Sequence, residues 1–179
     1  MEKKGAEELR VYTPTLDEIE VIKRNDIYIV LDNVLDTYNI GAIFRLADAI
    51  AARQVIICGQ SETPPNSRIQ KASVGTWQWT PWSYAKTALE AIDNLRLTID
   101  DLKVVSIELD SRAVNYDSYD YPLPLALVVG HESDGVSKKV LEISDAIVQL
   151  PQLGINKSLN VMVSLGIVLY EALEKNKIK

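Results

Sequence analysis

The chain of 179 residues has one cysteine, Cys58, and one histidine, His131. A lone thiol can form no internal disulfide, and one Cys with one His cannot make an ordinary Cys/His zinc site, so no staple and no metal are expected. Cys58 closes an apolar run and is read as a structural residue. Long apolar stretches are also missing. None reaches the roughly 20 residues of a membrane-spanning helix, and Met1-Glu2-Lys3-Lys4-Gly5 lacks the apolar centre of a signal peptide. A cytoplasmic protein with no membrane partner is therefore expected. Basic residues are scarce: 19 Lys and Arg stand against 25 Asp and Glu, for a net charge of −6 and a pI near 4.9. Bulk charge thus gives no support to nucleic-acid binding, which favours Lys and Arg. The acidity is concentrated in residues 88–120, while residues 61–87 carry Arg68, Lys71 and Lys86 against Glu62 alone. A Gly-x-Gly-x-x-Gly run is absent too, which disfavours an ordinary dinucleotide site and a nucleotide-linked oxidoreductase.

What is present is a soluble globular composition, 47% hydrophobic and 25% charged, long enough for one domain with a real core. Residues 1–26 are charged and interrupted by Pro14, with a short helix possible over Leu16 to Lys23; they read as an extension to a domain spanning 27–179. Ile27 to Leu31 is a nearly continuous apolar run, as expected of a strand covered on both faces. A helix follows from about Ile40 to Ala51, with Ile43, Leu46, Ala47 and Ile50 at helical spacing and Arg45 off that stripe. Further strands are predicted at Val55–Cys58, Lys103–Ile107, Leu125–Val129 and Ala146–Leu150, and helices at Ser67–Ser73, Tyr84–Leu95 and Ser137–Ile143. Alternating strands and helices predict an α/β fold, a single-domain parallel sheet with helices on both faces. Trp77 and Trp79 alternate as on one strand face and, with Trp82, read as packing residues in preference to stacking on bases.

Loops at the carboxyl ends of parallel strands converge on one edge. Three polar loops in this sequence occupy such positions. Asp32, Asn33, Asp36, Tyr38 and Asn39 lead into the helix holding Arg45; Gly130-His131-Glu132-Ser133-Asp134-Gly135 follows the Leu125–Val129 strand; Pro151 to Ser158 precedes the last helix. Ser158 is expected to cap that helix, its hydroxyl accepting from a free backbone N–H, and Asn39 is expected to cap the first. Gly130 would let the main chain approach a ligand closely.

Asn39-Ile40-Gly41-Ala42-Ile43-Phe44-Arg45, Gly130-His131-Glu132-Ser133-Asp134-Gly135-Val136-Ser137 and Ser158-Leu159-Asn160-Val161 resemble the three signature motifs of the SpoU/TrmH group of SPOUT RNA 2'-O-ribose methyltransferases. The likeness covers roughly Ile27 to Leu173. It implies methyl transfer from S-adenosylmethionine to a ribose 2'-hydroxyl of tRNA or rRNA, a C-terminal deep trefoil knot (the alpha-beta knot) and a homodimer. It also implies that Gly130, Leu150 and Leu159 line the cofactor pocket, and that Arg45, Asn39, Glu132, Ser158 and Asn160 serve catalysis. Arginine holds its proton too strongly to be a good base, so Arg45 is assigned to orienting the nucleophile and stabilising alkoxide charge. Asn39 would help to position Arg45 or the substrate, and Glu132 would fix Arg45 or hold its loop. His131 stands where the family more often has a small or amide residue. Residues 1–26 show no recognisable RNA-binding module, so the catalytic domain or a second subunit is expected to hold the RNA. The alternative reading is a catalytically inactive knotted domain that binds RNA or protein.

Overall fold

A computed structural model describes Gly5, Glu8 and residues 12–178. The remaining residues of the expected N-terminal extension lie outside the described residues. A short helix, α1 (Leu16–Glu20), is closed by a reciprocal cap between Thr15 and Glu18.

The sheet begins with β1 (Asn25–Asp32), and every strand in it runs parallel to its neighbours. The other strands are β2 (Ala52–Cys58), β3 (Trp82–Ala85), β4 (Lys103–Ile107), β5 (Val114–Asn115), β6 (Leu125–Gly130) and β7 (Ala146–Gln149). Their spatial order is β3-β2-β1-β6-β4-β7-β5. The apolar runs of β1 and β6 are explained by this order, since both strands lie inside the sheet. Because side chains alternate along a strand, each run splits between two cores. Ile29 and Leu31 face one layer, with Leu127 and Val129; Val30 faces the other, with Ala126 and Val128.

The first layer is covered by α2 (Thr37–Ala49), α3 (Ser67–Ser73) and α6 (Val161–Lys175). Ile40, Ile43, Phe44 and Ala47 of α2 and Leu165, Val168, Leu169 and Ala172 of α6 repeat at helical spacing and are all buried. The second layer is covered by α4 (Ala88–Thr98) and α5 (Lys138–Ile143), which bury Ala91, Ile92, Leu95 and Val140. Cys58 lies in this second core, fully buried, and its thiol is pushed up to about 12 by that burial and then by Asp32 and Glu90.

Several boundaries differ from expectation. The first helix begins three residues earlier, because Asp36 and not Asn39 is its cap, accepting from the Tyr38 amide at 2.8 Å. The helix expected from Tyr84 begins at Ala88, where Thr87 caps it, and the preceding residues form edge strand β3. Trp77 lies in a 3-10 turn, Thr76–Gln78, not on a strand. The tryptophans pack nonetheless: Trp79 is buried and donates from Nε1 to Asp48 at 2.6 Å, while Trp77 and Trp82 rest against the first core.

Gly41 has a packing role that its place in the first motif did not reveal. A Cβ there would lie 2.5 Å from the Ala72 Cβ and 2.8 Å from the Ile69 carbonyl oxygen. The missing side chain lets α3 sit directly against α2.

Candidate active site

The carboxyl ends of β4, β6 and β7 enclose a cavity of about 570 Å³. Its apolar walls include Ile107, Leu109, Val129, Leu150 and Leu159; Gly130, Glu132, Ser158 and Asn160 also line it. The three residues expected to form a cofactor pocket, Gly130, Leu150 and Leu159, are thus brought together. Arg45 and Asn39 are not in the lining.

Asn39 is nevertheless joined to the rim. Its buried side chain donates from Nδ2 to Glu132 at 3.0 Å and accepts at Oδ1 from Asn160 Nδ2 at 2.9 Å. One residue of each motif takes part in this relay, and both ends of the Asn39 amide are committed. Asn160 also caps α6, its Oδ1 accepting from the amides of Met162 at 2.9 Å and Val163 at 3.4 Å. The expected cap, Ser158, stands two residues before this position in an exposed loop, with its amide donating to Asn156 Oδ1. A serine and an asparagine two residues apart offer the same local signal; packing against Asn39 selects the asparagine.

Glu132 does not reach for Arg45. Besides Asn39, its carboxylate accepts from the backbone amides of Leu35 at 3.1 Å and Asp36 at 3.0 Å. Burial works against its charge, but the donors of Asn39, Asp36, Leu35 and its own amide outweigh that cost and hold the carboxyl below the usual glutamate range. The loop that its carboxylate holds is the one after β1, so the expectation that it fixes Arg45 or its own loop is corrected.

Two carboxylates have roles that the sequence did not reveal, although Asp32 stands in the first polar loop. Glu108, just past β4, lines the cavity and accepts from the Val136 amide at 2.8 Å; Asp32, at the end of β1, is buried and accepts from the Ser137 amide at 2.8 Å. Together they grip the loop after β6 where it turns into α5. Their signal in the sequence was an acid at the end of an apolar strand, a position where free loop amides gather. His131 completes the loop: its Nδ1 accepts from the amides of Ser133 at 3.0 Å and Asp134 at 3.2 Å. An asparagine side-chain oxygen performs this task in an Asx turn.

Gly130 has a packing reason to be small. A Cβ on it would meet the Gly135 carbonyl carbon at 2.1 Å, because the loop folds back and His131 and Gly135 exchange backbone hydrogen bonds. Gly135 has φ +70°, and a Cβ there would strike the Glu108 carboxylate.

Arg45 is exposed on α2, and among the described residues its guanidinium makes no hydrogen bond or ion pair. It lies about 9 Å along the helix axis from Asn39, by the rise of an α-helix. Among the described residues no cluster of His, Cys, Asp and Glu could hold a metal, and no helix is long and apolar enough to cross a membrane.

Known proteins resemble this chain in sequence and in fold. The sequence model of the SpoU rRNA Methylase family matches residues 26–170. A tRNA (guanosine(18)-2'-O)-methyltransferase of Aquifex aeolicus is 31% identical over 162 residues, 88% of this chain and 73% of that protein. The 23S rRNA (guanosine-2'-O-)-methyltransferase RlmB of Vibrio parahaemolyticus is 32% identical over 164 residues, 89% of this chain and 64% of its own length. The AdoMet-bound rRNA methyltransferase of Sinorhizobium meliloti superposes with a TM-score of 0.77 at 29% identity, covering 87% of this chain and 59% of that one. The chain therefore spans about three fifths to three quarters of the length of these three proteins.

Proposed function

Because the chain belongs to the SpoU rRNA methylase family, we propose that it transfers a methyl group from S-adenosylmethionine to a ribose 2'-hydroxyl of tRNA or rRNA. The observation that carries this reading is the hydrogen-bonded relay Glu132–Asn39–Asn160, which ties all three motifs to the rim of one cavity. The cavity suits the cofactor: its volume falls within the range of about 300–1,000 Å³ typical of small-molecule sites, and its lining combines apolar residues with polar loop residues. Gly130, Leu150 and Leu159 would hold it, with Glu108 keeping the surrounding loop in place. S-adenosylmethionine supplies the activated methyl group on a cationic sulfur.

The chain's own residues then have to place the RNA. Arg45, exposed and uncommitted, orients the 2'-hydroxyl and stabilises the negative charge that develops on its oxygen. Asn39 and Glu132 hold the start of α2 and the loop before it, so their effect on Arg45 passes through the helix. Asn160 fixes the start of α6, and Ser158 offers a hydroxyl at the mouth of the cavity.

The same reading makes residues 27–179 the methyltransferase domain, preceded by a short extension in 1–26, and makes the protein a cytoplasmic homodimer. Leu153 and Ile155 on the loop before α6, and Val163, Ile167 and Tyr170 along α6, are exposed apolar groups that a second copy would cover. The C-terminal segment forms the trefoil knot in this reading. Asn176, just past α6, donates to the carbonyl oxygen of Tyr121 at 2.9 Å, and α6 packs on the turn Tyr116–Ser118 within the long connection from β4 to β6.

The test is to incubate the protein and its Arg45→Ala variant with labelled S-adenosylmethionine and unmodified total RNA, then identify methylated nucleosides by mass spectrometry. A labelled 2'-O-methyl nucleoside formed only by the unaltered protein is expected. Full activity in Arg45→Ala would refute the assignment of Arg45. Absence of both label and cofactor binding would favour the inactive RNA- or protein-binding module.

A further inference from the structure

A second cleft, of about 530 Å³, opens between the starts of α2 and α3 and is lined by Leu35, Tyr38, Glu62, Ser67 and Arg68 among others. Its rim is hydrogen-bonded to that of the first cavity. The backbone amides of Leu35 and Asp36, two residues of its lining, are the ones held by Glu132, which lines the first cavity. Whatever occupies the mouth of the first cavity therefore has this cleft as its neighbour.

The chemistry of the cleft is unusual for an acidic protein. Tyr38 is 53% exposed although it is aromatic, and its backbone is pinned by the Asp36 cap, so its ring is presented on a fixed stem. Leu35, 41% exposed, adds apolar surface beside it. Arg68 and Glu62 are both exposed, and neither makes an ion pair among the described residues. A ring, a free guanidinium and a free carboxylate are the groups that would respectively stack on a base, take a phosphate and accept from a donor-bearing base edge.

Helix geometry ties the cleft to Arg45. Arg45 is seven positions after Tyr38, nearly two full turns, so both lie on one exposed stripe of α2 about 10 Å apart along its axis. A single strand of RNA whose ribose is held at Arg45 can lay an adjacent base on Tyr38.

We infer that this cleft is a nucleobase subsite for single-stranded RNA, in which Tyr38 stacks on a base flanking the methylated ribose, Arg68 binds its phosphate and Glu62 accepts from its edge. The inference rests on the RNA methyltransferase reading and adds to it a source of affinity that the net charge of −6 does not provide. A flanking guanine fits best, because its Watson–Crick edge offers adjacent N–H donors to a carboxylate. Uracil and adenine offer fewer.

The test measures binding of short, fluorescently labelled single-stranded RNA of mixed sequence to the full chain, alongside S-adenosylmethionine binding and thermal melting. Tyr38→Ala is expected to weaken RNA binding by about 5- to 150-fold, from the usual worth of one stacked base, with cofactor binding and Tm unchanged. Tyr38→Phe keeps the ring and should retain binding. Arg68→Gln should lower the slope of log affinity against log salt by about 0.7, the share of one single-strand phosphate. Replacing guanosine by inosine in the RNA should weaken binding to the unaltered protein and have no effect on Glu62→Gln. If the unaltered protein binds RNA and Tyr38→Ala binds it equally well, the subsite is refuted and the methyltransferase reading stands. If the unaltered protein binds neither RNA nor cofactor, both fall.

Discussion

Asn160 donates a side-chain hydrogen bond of 2.9 Å to Asn39, 121 positions away in the chain. The first residue of one motif is thereby joined to the cap of the last helix. Asn39 in turn donates to Glu132 in the middle motif. Each amide is held at both ends, so neither can be replaced by a residue that only donates or only accepts.

Breaking the relay should cost stability and activity together. Asn39→Ala leaves Asn160 Nδ2 without its partner and removes a donor from Glu132, at a cost of about 1–3 kcal/mol for buried polar groups left unpaired. Asn39→Asp presents an oxygen to the Glu132 carboxylate and is expected to be worse for methyl transfer than its change in Tm alone would suggest. Melting curves and kcat/KM for the two variants check this; activity in both equal to that of the unaltered protein would show that the donor to Glu132 is immaterial.

Glu132 makes the loop after β1 sensitive to acid. Its carboxyl titrates below the ordinary glutamate value because of the donors around it, so the folded state prefers the charged form. A depressed pKa contributes stability that is present above the unfolded value, roughly 4.3, and is lost as pH falls through the lower folded value. Amide exchange at Leu35 and Asp36, taken relative to the free-chain rate at the same pH, should therefore accelerate below about pH 4.3. In Glu132→Gln it should be fast at neutral pH as well, and an unchanged exchange rate in that variant would contradict the role given to the carboxylate.

Gly41→Ala tests the contact between α2 and α3. The added methyl would have to displace backbone atoms less than 3 Å away, and overpacking of this kind costs about 1–3 kcal/mol. A lowered midpoint in chemical denaturation, with little change in the denaturant slope, is expected. A variant as stable as the parent would mean that α3 shifts freely.

His131 is expected to tolerate asparagine better than alanine. Asparagine can supply an acceptor to the Ser133 amide, as Nδ1 now does at 3.0 Å, whereas alanine leaves the turn without one. Cofactor affinity measured by calorimetry should fall further in His131→Ala than in His131→Asn, because the loop lines the cavity. The opposite order would mean that the ring itself contacts the ligand.

The two-sided apolar runs of β1 and β6, the helical spacing of Ile40, Ile43, Phe44 and Ala47, and the position of the polar loops after the strands were all legible in the chain. These features are local: a period of two or of 3.6 residues is written into consecutive positions. The three motifs were legible for the same reason, as short runs of fixed spacing, and the resemblance they carry pointed to Gly130, Leu150 and Leu159, which line one cavity. The choice between Ser158 and Asn160 as cap, or between Asn39 and Asp36, was not. In each case several polar residues near a helix start satisfy the local rule, and a contact made across the molecule decides among them. The work of Glu108 and Asp32 was hidden likewise, since each grips a loop from a strand that is adjacent in space and distant in sequence. Periodicity and motif spacing determined the parallel α/β plan and the loops that would matter. Only the tertiary structure decided which carboxylates hold those loops, that Glu132 bonds to Asn39 and not to Arg45, and that Gly41 and Gly130 are small for packing, because hydrogen bonds and close contacts between remote segments depend on geometry that no single stretch of sequence encodes.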